Sequence, residues 1–155
     1  MSTLEINHFW IAQLIAISQL IVDFGLVVLI WIVQLIIYPS FLYYKSKNLM
    51  VWHQKYTERI AVIVVPLMLM QLAIAIYLVF CQFDISNSIR LIIVLFLWIF
   101  TFTNFAPLHF KISEGKHTEK MLHLLITRNW WRTFLWSVLF VFDLFYSIDF
   151  FNIQL

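Results

Sequence analysis

The sequence predicts an all-α integral membrane protein, folded as a four-helix up-and-down bundle with cytoplasmic helix extensions. Of its 155 residues, 63% are hydrophobic and 12% are charged, about half the charged fraction of a typical soluble domain. Four stretches are long and apolar enough to cross the ~30 Å hydrocarbon core of a bilayer. With only 2 glycines and 3 prolines, the chain favours a few long helices over many short strands.

The four predicted spans form a single transmembrane domain over residues 1–155. They cover residues 19–42, 60–80, 89–109 and 131–151. Stretches of this length without period-two alternation must be helices, because lipid offers no hydrogen-bond partner to an open backbone. The first ten residues, MSTLEINHFW, contain no Lys or Arg, so we expect the first hydrophobic run to be a span and not a cleaved signal peptide.

The positive charges predict the orientation of the bundle. Nine of the ten Lys and Arg residues lie beside the connections between spans one and two and between spans three and four, and only Arg90 lies at the opposite end. The positive-inside rule therefore places both longer connections in the cytoplasm and both termini outside it. The nine residues are Lys45, Lys47, Lys55, Arg59, Lys111, Lys116, Lys120, Arg128 and Arg132. A net charge of +2, dispersed in this way, argues against nucleic acid as a partner.

The two cytoplasmic connections have helical character. Residues 48–59 and 116–130 are polar enough to leave the bilayer and contain no proline, so helices two and four should continue through them. Twelve such residues add about 18 Å of helix. The turns are expected at 46–48 and 113–116, and the short connection CQFDISNS makes spans two and three antiparallel neighbours.

Each span carries polar side chains along one face, and those of the cytoplasmic half form a candidate ligand pocket. Such side chains can also serve as packing contacts, since Gln, Asn and Thr hydrogen-bond between membrane helices, and both interpretations stay open. The group comprises Gln34, Tyr38, Gln71, Asn104 and Asn129 as ligand-binding residues, with His53, His109 and Arg132 as candidates for chemistry.

Two histidines and one arginine are the candidate catalytic residues. His53 and His109 lie next to the polar faces, and imidazole suits both metal binding and proton transfer. No HExxH or ExxH motif is present, so neither a metal nor another cofactor is identified. Pro107 leaves the Thr103 carbonyl without its helical partner. We expect Arg132 to point into the bundle, near Asn104 and His109.

Two carboxylates lie in the other half of the predicted bundle. Asp23 and Asp143 are on helices that would be neighbours, and Arg90 is the cation at that end. An acid within a span is protonated, paired with a base or part of an ion or proton route. The favoured interpretation is a structural contact between an aspartate and Arg90 or an aspartate near the membrane interface, with Asp23 level with the headgroups.

Four segments resemble a group of small, mostly uncharacterised bacterial four-span membrane proteins. The segments are GLVVLIWIVQLIIYPSF, YTERIAVIVVPLMLMQ, LWIFTFTNFAPLHFKISEG and NWWRTFLW, with the patterns Q-x-x-x-Y-P-x-F, P-x-H and N-W-x-R-T. The chain departs from the group at Gln71, where members often carry an acid, and at Tyr56, where they often carry a histidine. The resemblance implies a bacterial inner-membrane location. The resemblance also implies that the residues matching the group's patterns are the functionally important ones. These residues are Gln34, Tyr38, Pro39, Phe41, Arg59, Pro66, Met68, Pro107, His109, Gly115, Asn129, Trp130, Arg132, Thr133 and Trp136.

The group is more loosely similar to the anthrone oxygenase-like four-helix membrane proteins. This likeness implies a redox or oxygenase-like enzyme that takes a lipophilic small molecule from the lipid bilayer. His109 or His53 would then act as acid, base or metal ligand, Arg132 and Asn129 would stabilise an anionic oxygen, and Trp130 and Trp136 would stack on a flat ligand. The alternative is a non-enzymatic transporter, channel or accessory subunit, and a four-span transporter would be expected to form a homo-oligomer.

Overall fold

Each of the four predicted spans forms one continuous or nearly continuous helical segment. The computed structural model describes the backbone of residues 3–153 and the side chains of residues 10–148. The helices are α1 (Thr3–Ile32), α2 (Tyr38–Ser40), α3 (Ser46–Cys81), α4 (Ile85–Asn104), α5 (Ala106–Ser113) and α6 (Glu119–Ile153). No strand occurs between residues 3 and 153. The all-α prediction is confirmed.

By length and composition, each helical segment can cross a membrane. The first span is Trp10–Tyr43, the second Ser46–Cys81, the third Ile85–Ser113 and the fourth Glu119–Ile148. The first span packs against the second and the fourth, and the third packs against the same two, so the spans close into a ring of antiparallel neighbours. The protein is therefore an integral membrane protein with an up-and-down four-helix bundle.

The helices are longer than the predicted spans. Residues 48–59 belong to α3, and most of residues 116–130 belong to α6, which confirms their predicted helical character. The turn expected at 46–48 lies two residues earlier, because Lys45 caps α3 in an extended conformation and Ser46 is already helical. The second turn contains Gly115, at φ 71°, within the predicted segment.

Many polar side chains are buried beside the hydrophobic core, and many large apolar side chains are exposed on the outer surface. Gln34, His53 and Asn129 are at most 2% exposed, whereas Val62 and Ile21 are 75% and 65% exposed. Lipid accepts apolar side chains on the outer surface, and polar side chains inside the bundle find partners on the neighbouring helices. The polar side chains that could bind a ligand or transfer a proton therefore lie in the interior of the bundle.

Two local irregularities turn polar residues inward. A π-helical turn, Val33–Ile37, ends where the Tyr38 N–H donates to the Val33 carbonyl. Pro39 follows at once, and the wider turn fits a proline ring that would clash with a regular α-helical carbonyl. In the third span, α4 ends at Asn104, and α5 begins at Ala106 with Pro107 in its first turn. Both irregularities lie beside the histidines.

Candidate functional site: a histidine pair, Arg132 and a cavity

A chain of four side chains crosses the interior near the basic end of the bundle, the end that carries the nine cationic residues. The Ser113 hydroxyl lies 2.9 Å from His53 Nδ1, and His53 Nε2 lies 2.8 Å from His109 Nδ1. His109 Nε2 lies 3.0 Å from the Tyr38 hydroxyl. The two rings are stacked, with centroids 5.0 Å apart. Three spans therefore contribute to one continuous hydrogen-bonded chain.

This chain uses all four imidazole nitrogens. A metal ligand must present a bare nitrogen to the metal, whereas each nitrogen here already contacts an oxygen or another nitrogen. Among residues 10–148, no three His, Cys, Asp or Glu side chains come together as a metal-binding group. The arrangement suits proton transfer, because each member can accept a proton on one side and donate one on the other.

Arg132 points into the bundle, as predicted. Its side chain is only 7% exposed, and it forms no ion pair with any residue in the described part of the chain. Its guanidinium lies 4.4 Å from the ring centre of Phe105 and 5.0 Å from that of Trp136. It also interacts electrostatically with the hydroxyl of Tyr38. Cation–π contacts compensate part of the desolvation of this charge and leave it without an anion.

The side-chain amides of Asn129 and Gln34 hold the guanidinium of Arg132 in place. Asn129 Oδ1 accepts a 3.2 Å hydrogen bond from Arg132 Nη1, and Asn129 Nδ2 donates to Gln34 Oε1 at 2.9 Å. Gln34 in turn donates to the Ile126 carbonyl at 3.4 Å. Because all three side chains are buried, this series fixes the direction of the guanidinium.

A cavity of about 360 Å³ borders the side chain of Arg132. Tyr38, His109, Arg132 and Trp136 form part of its wall, and the remaining wall is mainly apolar. Spans two and three contribute most of the lining, including the exposed side chains of Val65 and Phe102. We call this space the inner cavity. The exposed lining residues of spans two and three lie on the lipid-facing surface of the bundle.

Three residues around the inner cavity carry a buried polar atom that has no hydrogen-bond partner among the described residues. These atoms are Arg132 Nε, Trp98 Nε1 and Thr101 Oγ1. An indole N–H and a guanidinium N–H can only donate, and a hydroxyl can donate as well. Since buried polar groups normally find partners, the set fits a ligand that offers acceptor oxygens.

The predicted site residues fall into distinct positions. The cavity wall includes Tyr38, His109, Arg132 and Trp136, and His53 lies behind His109. Gln34 and Asn129 support Arg132 from the side away from the cavity. Gln71 is buried on the far side of Trp136, where it accepts a 3.3 Å hydrogen bond from the indole nitrogen. Their proposed roles in binding or catalysis stay predictions.

Asn104 and Trp130 are not brought to the cavity. Asn104 donates to the exposed Thr103 hydroxyl, and Trp130 is 47% exposed and packs edge-on against Trp31 on the outer surface. At about 100° per residue, the helical face of His109 includes Phe105 and Thr101 and excludes Asn104. Arg132 therefore lies near His109, as expected, while Asn104, its other expected neighbour, is turned away.

Sequence reasoning missed most of the cavity wall as site residues, including Phe105, Thr101, Trp98 and Tyr56. Phe105, Thr101 and Trp98 precede His109 at helical spacings of four, four and three, so periodicity alone could have found them. Tyr56, which is buried, lies one turn after His53. Only its burial in the structure identifies Tyr56 as a site residue, because a tyrosine near a membrane interface has no distinctive sequence pattern.

Arg90 binds Asp143 in the other half of the bundle. Arg90 Nε donates to Asp143 Oδ1 at 2.7 Å, and both side chains are at most 2% exposed. This pair confirms the favoured structural interpretation for Asp143. Asp23 is not part of the pair; its Oδ1 accepts a 2.5 Å hydrogen bond from Gln71 Nε2.

Comparisons of this chain with models of known protein families, with curated proteins and with solved structures find no match.

Proposed function

We propose that the protein binds a lipophilic small molecule with an acidic or strongly polarised oxygen in the inner cavity. The single observation that carries this proposal is the buried guanidinium of Arg132, which lies at the cavity wall without a carboxylate partner among the described residues. A carboxylate, a phenolate, an enolate or a quinone carbonyl would supply the missing acceptor.

The shape of the inner cavity supports an amphiphilic ligand. Its wall is mainly apolar, spans two and three contribute most of it, and its polar groups include those of Arg132, Tyr38 and His109. A ligand entering from lipid would place its apolar body along Val64 and Met68 and its oxygen at Arg132. Pockets of this kind typically combine an apolar wall with a few polar groups that orient the ligand.

The chemistry that these residues supply is proton transfer at the bound oxygen or at a carbon beside it. Tyr38 would exchange the proton with the ligand, His109 and His53 would relay it, and Ser113 would pass it towards the cytoplasmic connections. Arg132 would stabilise negative charge on the oxygen. A redox or oxygenase-like reaction, as the family resemblance implies, would use this same proton transfer in a bacterial inner membrane.

The experiment uses an ionised hydroxynaphthoquinone as probe and the purified protein in lipid nanodiscs. Trp98 and Trp136 line the cavity, so a bound quinone should quench their fluorescence in a saturable way. Arg132→Gln should weaken binding at least tenfold. The matched control is Arg59→Gln, because Arg59 is exposed and lies outside the cavity wall.

Two further variants test whether the cavity itself is the site. Ala61→Phe fills part of the wall and should weaken binding, whereas Val62→Phe, one residue along and 75% exposed, should not. If Arg132→Gln binds the probe as tightly as the wild type, or if both phenylalanine variants behave alike, the proposal is wrong.

A further inference from the structure

A second polar cluster lies in the half of the bundle opposite the basic end, and all four spans contribute to it. It consists of Asp23 from the first span, Gln71 from the second, Arg90 from the third and Asp143 from the fourth. Each side chain is at most 5% exposed. This cluster is separated from the inner cavity by Trp136, whose indole nitrogen donates to Gln71.

The charges in this cluster do not balance if both acids are ionised. Two carboxyl groups face one guanidinium, and Arg90 already binds Asp143 through two nitrogens, at 2.7 and 2.5 Å. Arg90 also donates to Asn87 and lies between the rings of Phe142 and Tyr146. Gln71 contributes a neutral donor to Asp23. Among the described residues, no second cation reaches the cluster, and an uncompensated charge in a bilayer interior is unfavourable.

Asp23 and Asp143 lie close enough for their carboxyl groups to interact electrostatically. Asp23 Oδ2 and Asp143 Oδ2 are both fully buried, and neither has a hydrogen-bond partner within the described part of the chain. Two ionised carboxylates in this position would repel each other. A single proton held between them gives each oxygen a partner and leaves the cluster neutral, as in other carboxyl pairs that share a site.

A second cavity, of about 320 Å³, lies beside this cluster, on the side where the first span begins. We call it the outer cavity. Gln19 and Ser147 line it, each one helical turn from Asp23 and Asp143, and it extends to Cys81 and Gln82 at the end of the second span. Gln19 is 7% exposed, and its Nε2 has no partner among the described residues. An unpaired donor on a polar cavity wall is a suitable contact for water.

We propose that Asp23 and Asp143 bind one exchangeable proton between them and that the outer cavity gives this proton access to the medium. The site is independent of the ligand proposed for the inner cavity. It would provide proton uptake or release at the face opposite the basic end.

The test is infrared spectroscopy of the protein in nanodiscs at neutral pH. The wild type should show the carbonyl stretching band of a protonated buried carboxyl group, and the band should shift after transfer into D₂O. Asp23→Asn removes the shared proton and should abolish the band. The control Asp84→Asn alters an aspartate that caps α4 and lies outside the cluster, so the band should remain. A wild-type spectrum without the band, or a band that persists in Asp23→Asn, overturns the proposal.

The access route is tested by the rate of the same D₂O shift. Ala16 lines the outer cavity, so Ala16→Phe should slow the shift at least tenfold. The neighbouring Ile17→Phe lies outside the cavity wall, on a residue that is 44% exposed, and should leave the rate unchanged. Equal rates in the two variants would show that the proton reaches the pair by another route.

Discussion

His53 Nε2 and His109 Nδ1 are 2.8 Å apart, so one of these two nitrogens carries a hydrogen and the other is bare. This contact couples the protonation of the two rings. It also gives the chain from Tyr38 to Ser113 only two internally consistent arrangements, which differ in the direction of every hydrogen bond. Reversing the chain transfers one proton from one end to the other, which is the property that a proton relay requires.

The coupling predicts that both neutral rings adopt the same tautomer. If Tyr38 donates to His109 Nε2, both rings carry their hydrogen on Nδ1; if Ser113 donates to His53 Nδ1, both carry it on Nε2. Nitrogen NMR of the histidine-labelled protein measures this directly, with the exposed His123 as an internal reference. Observing one Nδ1–H ring and one Nε2–H ring in this pair would contradict the hydrogen-bonded chain.

Removing the Tyr38 hydroxyl should destabilise the bundle. Tyr38→Phe leaves the partly buried His109 Nε2 without its 3.0 Å partner, which should lower the free energy of unfolding by about 1 kcal/mol. Reversible unfolding in mixed micelles measures the change. The control is Tyr43→Phe, since Tyr43 is 89% exposed and its variant should stay within about 0.5 kcal/mol of the wild type. Equal values for both variants would show that the Tyr38 contact contributes no stability.

The two buried arginines should respond differently to the same substitution. Arg90→Gln leaves Asp143 buried without its cation and should cost about 3–5 kcal/mol of unfolding free energy. Arg132→Gln deprives no carboxylate of a partner, so it should change the unfolding free energy by less than about 1 kcal/mol or increase it. Each variant serves as the control for the other in the same unfolding experiment. A larger loss in Arg132→Gln than in Arg90→Gln would mean that Arg132 is a structural residue.

The two glycines should also differ when replaced by alanine. Gly115 has φ 71°, where a Cβ atom is strained, so Gly115→Ala should cost about 1 kcal/mol. In Gly25→Ala, the new Cβ would meet Leu67 at 3.5 Å, an ordinary contact, and the helix should be unaffected or stabilised by up to about 1 kcal/mol. Thermal unfolding of both variants in one detergent provides the comparison. Equal melting temperatures would contradict the assigned turn at Gly115.

Much of the fold could be predicted from composition and local pattern. Apolar runs such as 60–80 must be helical in lipid, because every backbone N–H and C=O needs a partner within its own segment. The short connection after Cys81 places spans two and three side by side without further information. Residue spacing also placed Asn129, Arg132 and Trp136 on one face, and all three are buried.

The candidate site was predictable only in part. Helical spacing brings His53 and His109 to faces that look inward, but no spacing rule says that their rings meet or that Tyr38 and Ser113 complete the chain. Asn104 shows the limit of the method: the pattern selected it for its polarity, although its own helical phase directs it away from His109. Trp130 was selected for its motif, yet its position next to Asn129 turns it outward.

By itself, the sequence determined that this chain is a four-span α-helical membrane protein with its positive charges gathered at one end. Lipid imposes these properties locally, since it demands apolar length and internally paired backbone groups from each segment alone. Only the tertiary structure decided which polar groups find partners. Arg90 meets Asp143, Gln71 joins Asp23 to Trp136, and Arg132 is left facing a cavity, because these outcomes depend on the rotation and depth of each helix relative to its neighbours.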